Sequence, residues 1–245
     1  MKKIIFITLT AMLTYQSATA DSFAEEIVNP SWSGEIKFGG VLNSGNSDNK
    51  NLNGKLVANY KTLQWNNNFS LEGQLNTSEG KTNAANLLAK GDLHYALNEY
   101  DYLFSKASAK FDQFASFDRT FNEAIGYGRY FIKNDMTTLT VEAGPGGNHS
   151  RVSGAENYIT QFIFNIGSEL THKLTDSSQI KLTINNDIGK EYTHIRFDSS
   201  IKTKLTEALG LELGFTTTHD TKIPFGSKNK QKTDTITKIS VVFEF

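Results

Sequence analysis

The sequence predicts an all-β protein, a transmembrane antiparallel up-and-down β-barrel of about 12 strands. Three observations predict it. Apolar and polar residues alternate in twelve successive segments, tight and longer connections alternate between those segments, and the last segment ends on an aromatic residue. The predicted organisation is a signal peptide at 1–20, a short periplasmic segment at 21–30 and the outer-membrane barrel at 31–245.

The first twenty residues have the pattern of a secretory signal. Lys2 and Lys3 precede a mostly apolar run at 4–13, and the tripeptide Ala-Thr-Ala at 18–20 is a small-x-small cleavage pattern. No later stretch of about 18 apolar residues occurs, which excludes a helical inner-membrane protein. Cleavage after Ala20 leaves 23 basic against 26 acidic residues, a net charge of −3. No nucleic-acid partner is therefore expected, and the absence of cysteine means that no disulfide is needed.

The alternation is clearest in the first three segments, at 32–42, 52–60 and 65–75. Nine further segments follow the same rule at about 87–98, 102–113, 119–132, 137–147, 158–174, 179–190, 192–205, 208–219 and 234–245. The segment at 119–132 is the least regular, because Glu123 and Arg129 share a phase with Phe121 and Ile125. Segments this long exceed ordinary globular strands and fit tilted spans that extend beyond the hydrocarbon layer.

The connections fall into two sets. Those after the even-numbered segments are tight, at 62–64, 98–100, 133–135, 175–177 and 206–207, whereas most alternate ones are longer and polar, at 43–50, 77–85, 147–156 and 221–233. Short turns are typical of the periplasmic end of an outer-membrane barrel and long loops of the extracellular end. An even strand number returns the C-terminus to the periplasm. Pro145 is expected to mark a bulge or the rim of its strand.

Aromatic residues cluster where the segments meet the tight turns. We expect them to form the periplasmic girdle of the barrel, although the core of a soluble β-sandwich is the alternative interpretation. The residues concerned are Tyr60, Trp65, Tyr100, Tyr102, Tyr130 and Phe131.

The last segment supplies the sharpest local signal. The last residues alternate between Ile239, Val241, Phe243 and Phe245 on one face and Ser240, Val242 and Glu244 on the other. The chain therefore ends on an outward aromatic. This pattern resembles the C-terminal signature by which the barrel-assembly machinery recognises its clients. Phe243 and Phe245 are therefore the candidate assembly signal.

Four motifs carry a resemblance to a known family. They are GGVLNSGNSD at 39–48, NGKL at 53–56, IGYGRY at 125–130 and AGPG at 143–146. In this order they resemble the family called domain of unknown function 481, also described as salt-induced outer-membrane proteins. The resemblance implies an outer-membrane location and a barrel fold, and the family brings no assigned reaction.

The five histidines do not form a recognisable metal site. His94 and His194 fall on the lumen phase, His149 and His219 near predicted extracellular ends, and His172 near a periplasmic end. None has the spacing of a helical zinc site, and the carboxylates do not form a calcium loop. We expect no metal and no cofactor.

Two neighbouring pairs raise the alternative of a barrel hydrolase that acts on lipid or peptide at the extracellular rim. These are His149 with Ser150 and His219 with Asp220. Neither pair lies in a motif that resembles known barrel enzymes, and polar neighbours on a loop are usually solvated. The sequence therefore favours a protein that is not an enzyme.

Charged residues of both signs fall on the inward phase. One interpretation is that they pair and fill a narrow lumen, and the other is that they line a hydrated path for small polar solutes. Twelve strands lie between packed eight-stranded barrels and open porins, so both interpretations stay open. The lumen-lining candidates are Glu35, Lys37, Lys55, Glu72, Lys90, Asp92, His94, Lys106, Lys110, Glu142, Arg196, Asp198, Lys202, Lys204, Glu212 and Lys238.

The expected location is the outer membrane of a Gram-negative bacterium. The expected partners are outer-membrane lipid, lipopolysaccharide and, during biogenesis, the assembly machinery; the oligomeric state is left open. Lipopolysaccharide phosphates are plausible partners for the lysine-rich loop at 221–233. The functional hypotheses are a narrow channel for small polar solutes or an envelope-integrity protein linked to salt or osmotic stress, with the hydrolase as the alternative.

Overall fold

A computed structural model describes residues 30–43, 49–154, 156, 158–222 and 232–245. The predicted signal peptide and most of the lysine-rich loop lie outside the described residues. Twelve strands are present: β1 (Ser31–Asn43), β2 (Asn49–Lys61), β3 (Trp65–Ser78), β4 (Lys81–Ala96), β5 (Asp101–Asp112), β6 (Phe117–Lys133), β7 (Thr137–Val152), β8 (Tyr158–Lys173), β9 (Ser178–Gly189), β10 (Thr193–Lys204), β11 (Leu209–Asp220) and β12 (Thr233–Glu244).

The strands form one closed antiparallel barrel in which each strand pairs with its neighbours in sequence and β12 pairs with β1. The predicted fold class and strand number are thus confirmed. We call the end where β1 begins and β12 finishes the terminal end, and the opposite one the loop end. Within the described residues, no helix is long and apolar enough to span a bilayer.

Two connections predicted to be long loops consist largely of strand. The segment at 77–85 contains only a two-residue turn, where Glu79 and Gly80 have φ angles of 50° and 75° and provide the positive φ values of a tight hairpin. Likewise, β7 continues to Val152 through the region predicted as a loop at 147–156. Both extensions consist mainly of polar residues, so no apolar alternation marks them as strand.

Apolar side chains cover the outer face of the barrel. Phe162 has 71% of its surface exposed, Phe38 65% and Ile239 64%, an arrangement that is stable only against hydrocarbon. In β6 this outward phase also carries Glu123 and Arg129, which pairs with Asp101 at 2.9 Å.

The predicted aromatic girdle is correct only in part. Trp65 and Phe131 are exposed on the outer face, but Tyr102 and Tyr130 line the lumen. Tyr102 packs there against Phe104 in a buried cluster. Gly128 leaves room for the Tyr102 ring inside, so a position near a strand end does not decide which way a ring faces.

Pro145 lies inside β7, seven residues before its end, and not at a rim. It is the register partner of Phe164 on β8. On the β6 side, the pairing of these described strands skips two positions between Ala124 with Gly146 and Tyr127 with Ala143, without a shift of register. The interruption faces the proline because proline has no backbone N–H to donate.

The seam between β1 and β12 is the shortest in the barrel. Its register runs over five pairs, from Glu35 with Glu244 to Gly39 with Ser240, while every other seam has eleven or more pairs. Gly34 and Phe245 add two backbone hydrogen bonds of 2.8 and 3.0 Å at the terminal end. Closure at this seam therefore depends on few ladder bonds.

Candidate functional site

The lumen contains a cavity of about 760 Å³ to which all twelve strands contribute lining residues. Of the sixteen lumen candidates from the sequence, fifteen line this cavity. Lys204 lies at the end of β10, outside the cavity lining, where it pairs with Glu244 at 2.8 Å. The fifteen lining residues are Glu35, Lys37, Lys55, Glu72, Lys90, Asp92, His94, Lys106, Lys110, Glu142, Arg196, Asp198, Lys202, Glu212 and Lys238.

Glu142 on β7 is the centre of one polar cluster. Its Oε1 accepts a 2.9 Å hydrogen bond from the Tyr102 hydroxyl and lies 3.2 Å from His94 Nε2. Its Oε2 accepts a hydrogen bond from Lys106 Nζ. The ring of His94 also stacks on Tyr102, with centroids 4.7 Å apart. A carboxylate with only 7% of its side chain exposed is thus compensated by three neighbours.

A second cluster bridges the short seam at the terminal end. Lys202 of β10 contacts Glu35 at 2.6 Å and Glu244 at 2.5 Å. Lys37 contacts Glu35 at 3.1 Å and Glu212 at 2.6 Å. Four strands are joined by these ion pairs, which compensate for the few backbone bonds between β1 and β12. We call these five residues the seam cluster.

Several charges in the middle of the lumen form ion pairs and hydrogen bonds. Arg196 Nε contacts Asp198 Oδ2 at 2.7 Å, and Thr216 donates a 2.8 Å hydrogen bond to Asp198 Oδ1. Lys238 pairs with Glu72 across two intervening strands. Most mid-lumen carboxylates therefore already have partners.

At the loop end, the connection between β9 and β10 folds inward. Tyr192 is buried and stacks on Phe117, with centroids 4.9 Å apart. Its hydroxyl donates a 2.7 Å hydrogen bond to Asn148 Oδ1 and lies 2.8 Å from Ser150 Oγ. Gln161 Nε2 donates a 3.2 Å hydrogen bond to the Tyr192 carbonyl. These contacts hold Tyr192 against the inner wall, where it narrows the lumen.

The neighbouring pairs considered for hydrolysis do not assemble. Ser150 is fully buried on the lumen side, whereas His149 is exposed on the outer side and stacks on Tyr158. His219 contacts Thr233, while the adjacent Asp220 pairs with His194 inside the lumen at 2.7 Å. Adjacent strand residues point to opposite faces, so neither pair can act as nucleophile and base together.

The described residues contain no group of three or more histidine or acidic side chains arranged to hold a metal ion. His172 contacts Thr137 at 2.8 Å near the terminal end.

The sequence does not predict that Tyr102 and Tyr192 lie in the lumen. Tyr102 is predicted to belong to the girdle, and Tyr192 falls in a connection without periodicity. One signal was available for Tyr102: Gly126 and Gly128 lie on the inward phase of β6 and leave space on the inner wall beside it. Nothing comparable marks Tyr192.

Two sequence comparisons find proteins similar to this chain. The sequence model of a family described as "Protein of unknown function, DUF481" matches residues 36–245. The uncharacterized protein YdiY of Escherichia coli strain K12 is 23% identical over 219 residues, covering 87% of this chain and 86% of that protein.

Solved structures of outer-membrane channels are also similar to this chain. An outer-membrane channel from Pseudomonas putida F1 has a TM-score of 0.50 at 11% identity, with 94% of this chain and 100% of that chain covered. The KdgM porin has a TM-score of 0.48 at 8% identity, with 87% and 99% covered. At such identities the likeness concerns the fold alone.

Proposed function

Because the chain belongs to the DUF481 family and folds as a closed twelve-stranded barrel, we propose that it is an outer-membrane channel for small polar solutes. The proposed location is the outer membrane of a Gram-negative bacterium, with the terminal end in the periplasm. We propose no enzymatic activity for the protein. Lipopolysaccharide and outer-membrane lipid surround it, and the assembly machinery receives it through Phe243 and Phe245.

The observation that carries the proposal is the polar cavity inside an apolar exterior. Side chains that line the 760 Å³ lumen include amides, hydroxyls and charges of both signs, whereas the outer face presents Phe38, Phe162 and Ile239. Water and small hydrophilic solutes are stable in such an interior, and hydrocarbon is stable against the exterior. The inward-folded Tyr192 restricts the size of the solute.

Planar-bilayer recording of the refolded mature chain tests the proposal. We expect discrete single-channel steps in KCl, and liposomes that contain the protein should swell in isotonic glycerol. The matched control is the same preparation without refolding. Silence in both measurements would overturn the channel function.

The seam cluster favours a second candidate, a barrel that strengthens the envelope under salt or osmotic stress. Lys202 contacts both Glu35 of β1 and Glu244 of β12, the two strands that share few backbone bonds. Such ion pairs provide rigidity without requiring transport. A deletion strain should then grow poorly at high salt. Restoration by a non-conducting variant would support this role, and restoration only by conducting variants would support the channel.

A further inference from the structure

Nine lysine and arginine side chains line the lumen cavity, and seven of them have a carboxylate within ion-pair distance. The two exceptions within the described part of the chain are Lys55 on β2 and Lys90 on β4. We propose that Lys55 and Lys90 form a binding site for the carboxylate group of a small monovalent solute. This inference rests on the channel function proposed above and names the class of solute.

Two carboxylates that line the lumen with these lysines already have partners. Glu72 is the register partner of Lys55, but its side chain pairs with Lys238 from β12. Asp198 accepts hydrogen bonds from Arg196 and Thr216. Neither carboxylate is therefore free to neutralise a lysine, so an anion bound by the lysines would have little competition from these two.

Lys55 and Lys90 act on one region of the lumen. Lys55 is the register partner of Glu72 on β3, and Lys90 is the register partner of Ser70, two residues away on the same strand. Strands β4 and β10 lie six positions apart in the ring of twelve, so Lys90 and Arg196 approach from opposite walls. A solute that crosses the lumen at this level must pass between them.

The charged groups that act most strongly on Lys55 also line the lumen. Lys55 is influenced by Glu72, Lys37, Lys181 and Asp198. Lys37 and Lys181 have carboxylate partners of their own, at 2.6 and 2.9 Å, so they add little to the unneutralised charge.

Asp92 determines the charge of the preferred solute. It lines the cavity two residues from Lys90 on the same face of β4, and its register partner Lys106 pairs instead with Glu142. The lining as a whole has eleven acidic against nine lysine and arginine side chains. Around Lys90, however, two unpaired lysines and the unpaired Asp92 leave a local excess of one positive charge, which matches a monovalent anion. Asp92 also remains as an acceptor for a hydroxyl group of the same solute.

Proteoliposomes provide the test, with lactate as the anionic probe and glycerol as a neutral molecule of similar size. The variants are Lys55→Gln, Lys90→Gln and the double variant, with Lys61→Gln as the control because Lys61 lies on β2 outside the cavity lining. The arginine double variant Lys55→Arg/Lys90→Arg retains the charge. It tests whether the loss of charge, and not a change in packing, alters the permeability ratio.

We expect wild-type protein to conduct chloride in a KCl gradient and to admit lactate. Each Lys→Gln change should lower the anion-to-cation permeability ratio roughly fivefold relative to wild type, as expected for one charge at contact distance in water. Glycerol swelling should stay unchanged, and the arginine variant should keep the wild-type permeability ratio. Normal glycerol swelling with an unaltered permeability ratio in the double variant overturns the lysine site alone. Absence of both swelling and current overturns the channel function and this site with it.

Discussion

Tyr102 donates a 2.9 Å hydrogen bond to Glu142 directly across Gly128, which is the register partner of both residues. The three lie on three adjacent strands. The phenol ring can cross β6 only because glycine has no side chain, and a Cβ added at Gly128 would collide with the Tyr102 ring. One glycine therefore determines where a lumen aromatic lies.

Gly128→Ala should destabilise the barrel by about 1–3 kcal/mol, because overpacking forces Tyr102 out of its position. The measurement is the urea midpoint of unfolding in detergent. Gly214→Ala is the matched control, because an added Cβ there has its nearest neighbour 4.0 Å away. Equal midpoints for the two variants would contradict the steric argument.

Lys202→Gln should weaken the seam between β1 and β12 by about 1–3 kcal/mol, since Glu35 and Glu244 are direct register partners and would repel each other more strongly without the lysine that contacts both. Urea unfolding again provides the measurement. Lys204→Gln is the control; its side chain is 48% exposed, and the expected cost is below about 1 kcal/mol.

The double variant Lys202→Gln/Glu244→Gln removes the repulsion between the two carboxylates. It should recover part of the lost stability. A double variant that is less stable than Lys202→Gln would show that repulsion is not the cause.

Tyr192→Ala should raise the single-channel conductance, because the ring that stacks on Phe117 narrows the loop end of the lumen. Tyr192→Phe keeps the stacking and loses the hydroxyl contacts with Asn148 and Ser150, so it should cost only about 1 kcal/mol of stability and change conductance less. Tyr158→Ala is the control at the same end, because Tyr158 is exposed on the outer face. Equal conductance in Tyr192→Ala and wild type would refute the constriction.

Deletion of Phe245 should slow assembly into the outer membrane. The measurement is the appearance of the heat-resistant folded form with and without the assembly machinery. Deletion also removes the backbone bonds to Gly34, so Phe245→Ala serves to separate the two effects, because it keeps that backbone. If the aromatic ring is the signal, Phe245→Ala should be slow only when the machinery is present. A normal rate for both variants would exclude the terminal signal.

The fold could be predicted because its cause is local. A strand between hydrocarbon and a polar interior must alternate, and from Trp32 onward each segment records that requirement in the sequence. Prediction failed where the strands extend beyond the alternating apolar segments. Around Lys81 both faces carry mainly polar residues, and β7 ends in four polar residues followed by Val152, so no alternation marks these strand ends.

The inward positions of the charged residues followed from the same alternation, whereas their partners did not. The sequence by itself determined that Lys37, Lys55 and Lys90 share one phase. Only the tertiary structure decided that Lys37 has two carboxylates and that Lys55 and Lys90 have none. Ion pairs here join strands far apart in the chain, as Lys238 joins Glu72, and curvature, strand stagger and side-chain reach set those distances together. No single strand encodes the closure of the barrel. Which charges are neutralised and which are available is therefore decided only in the closed structure.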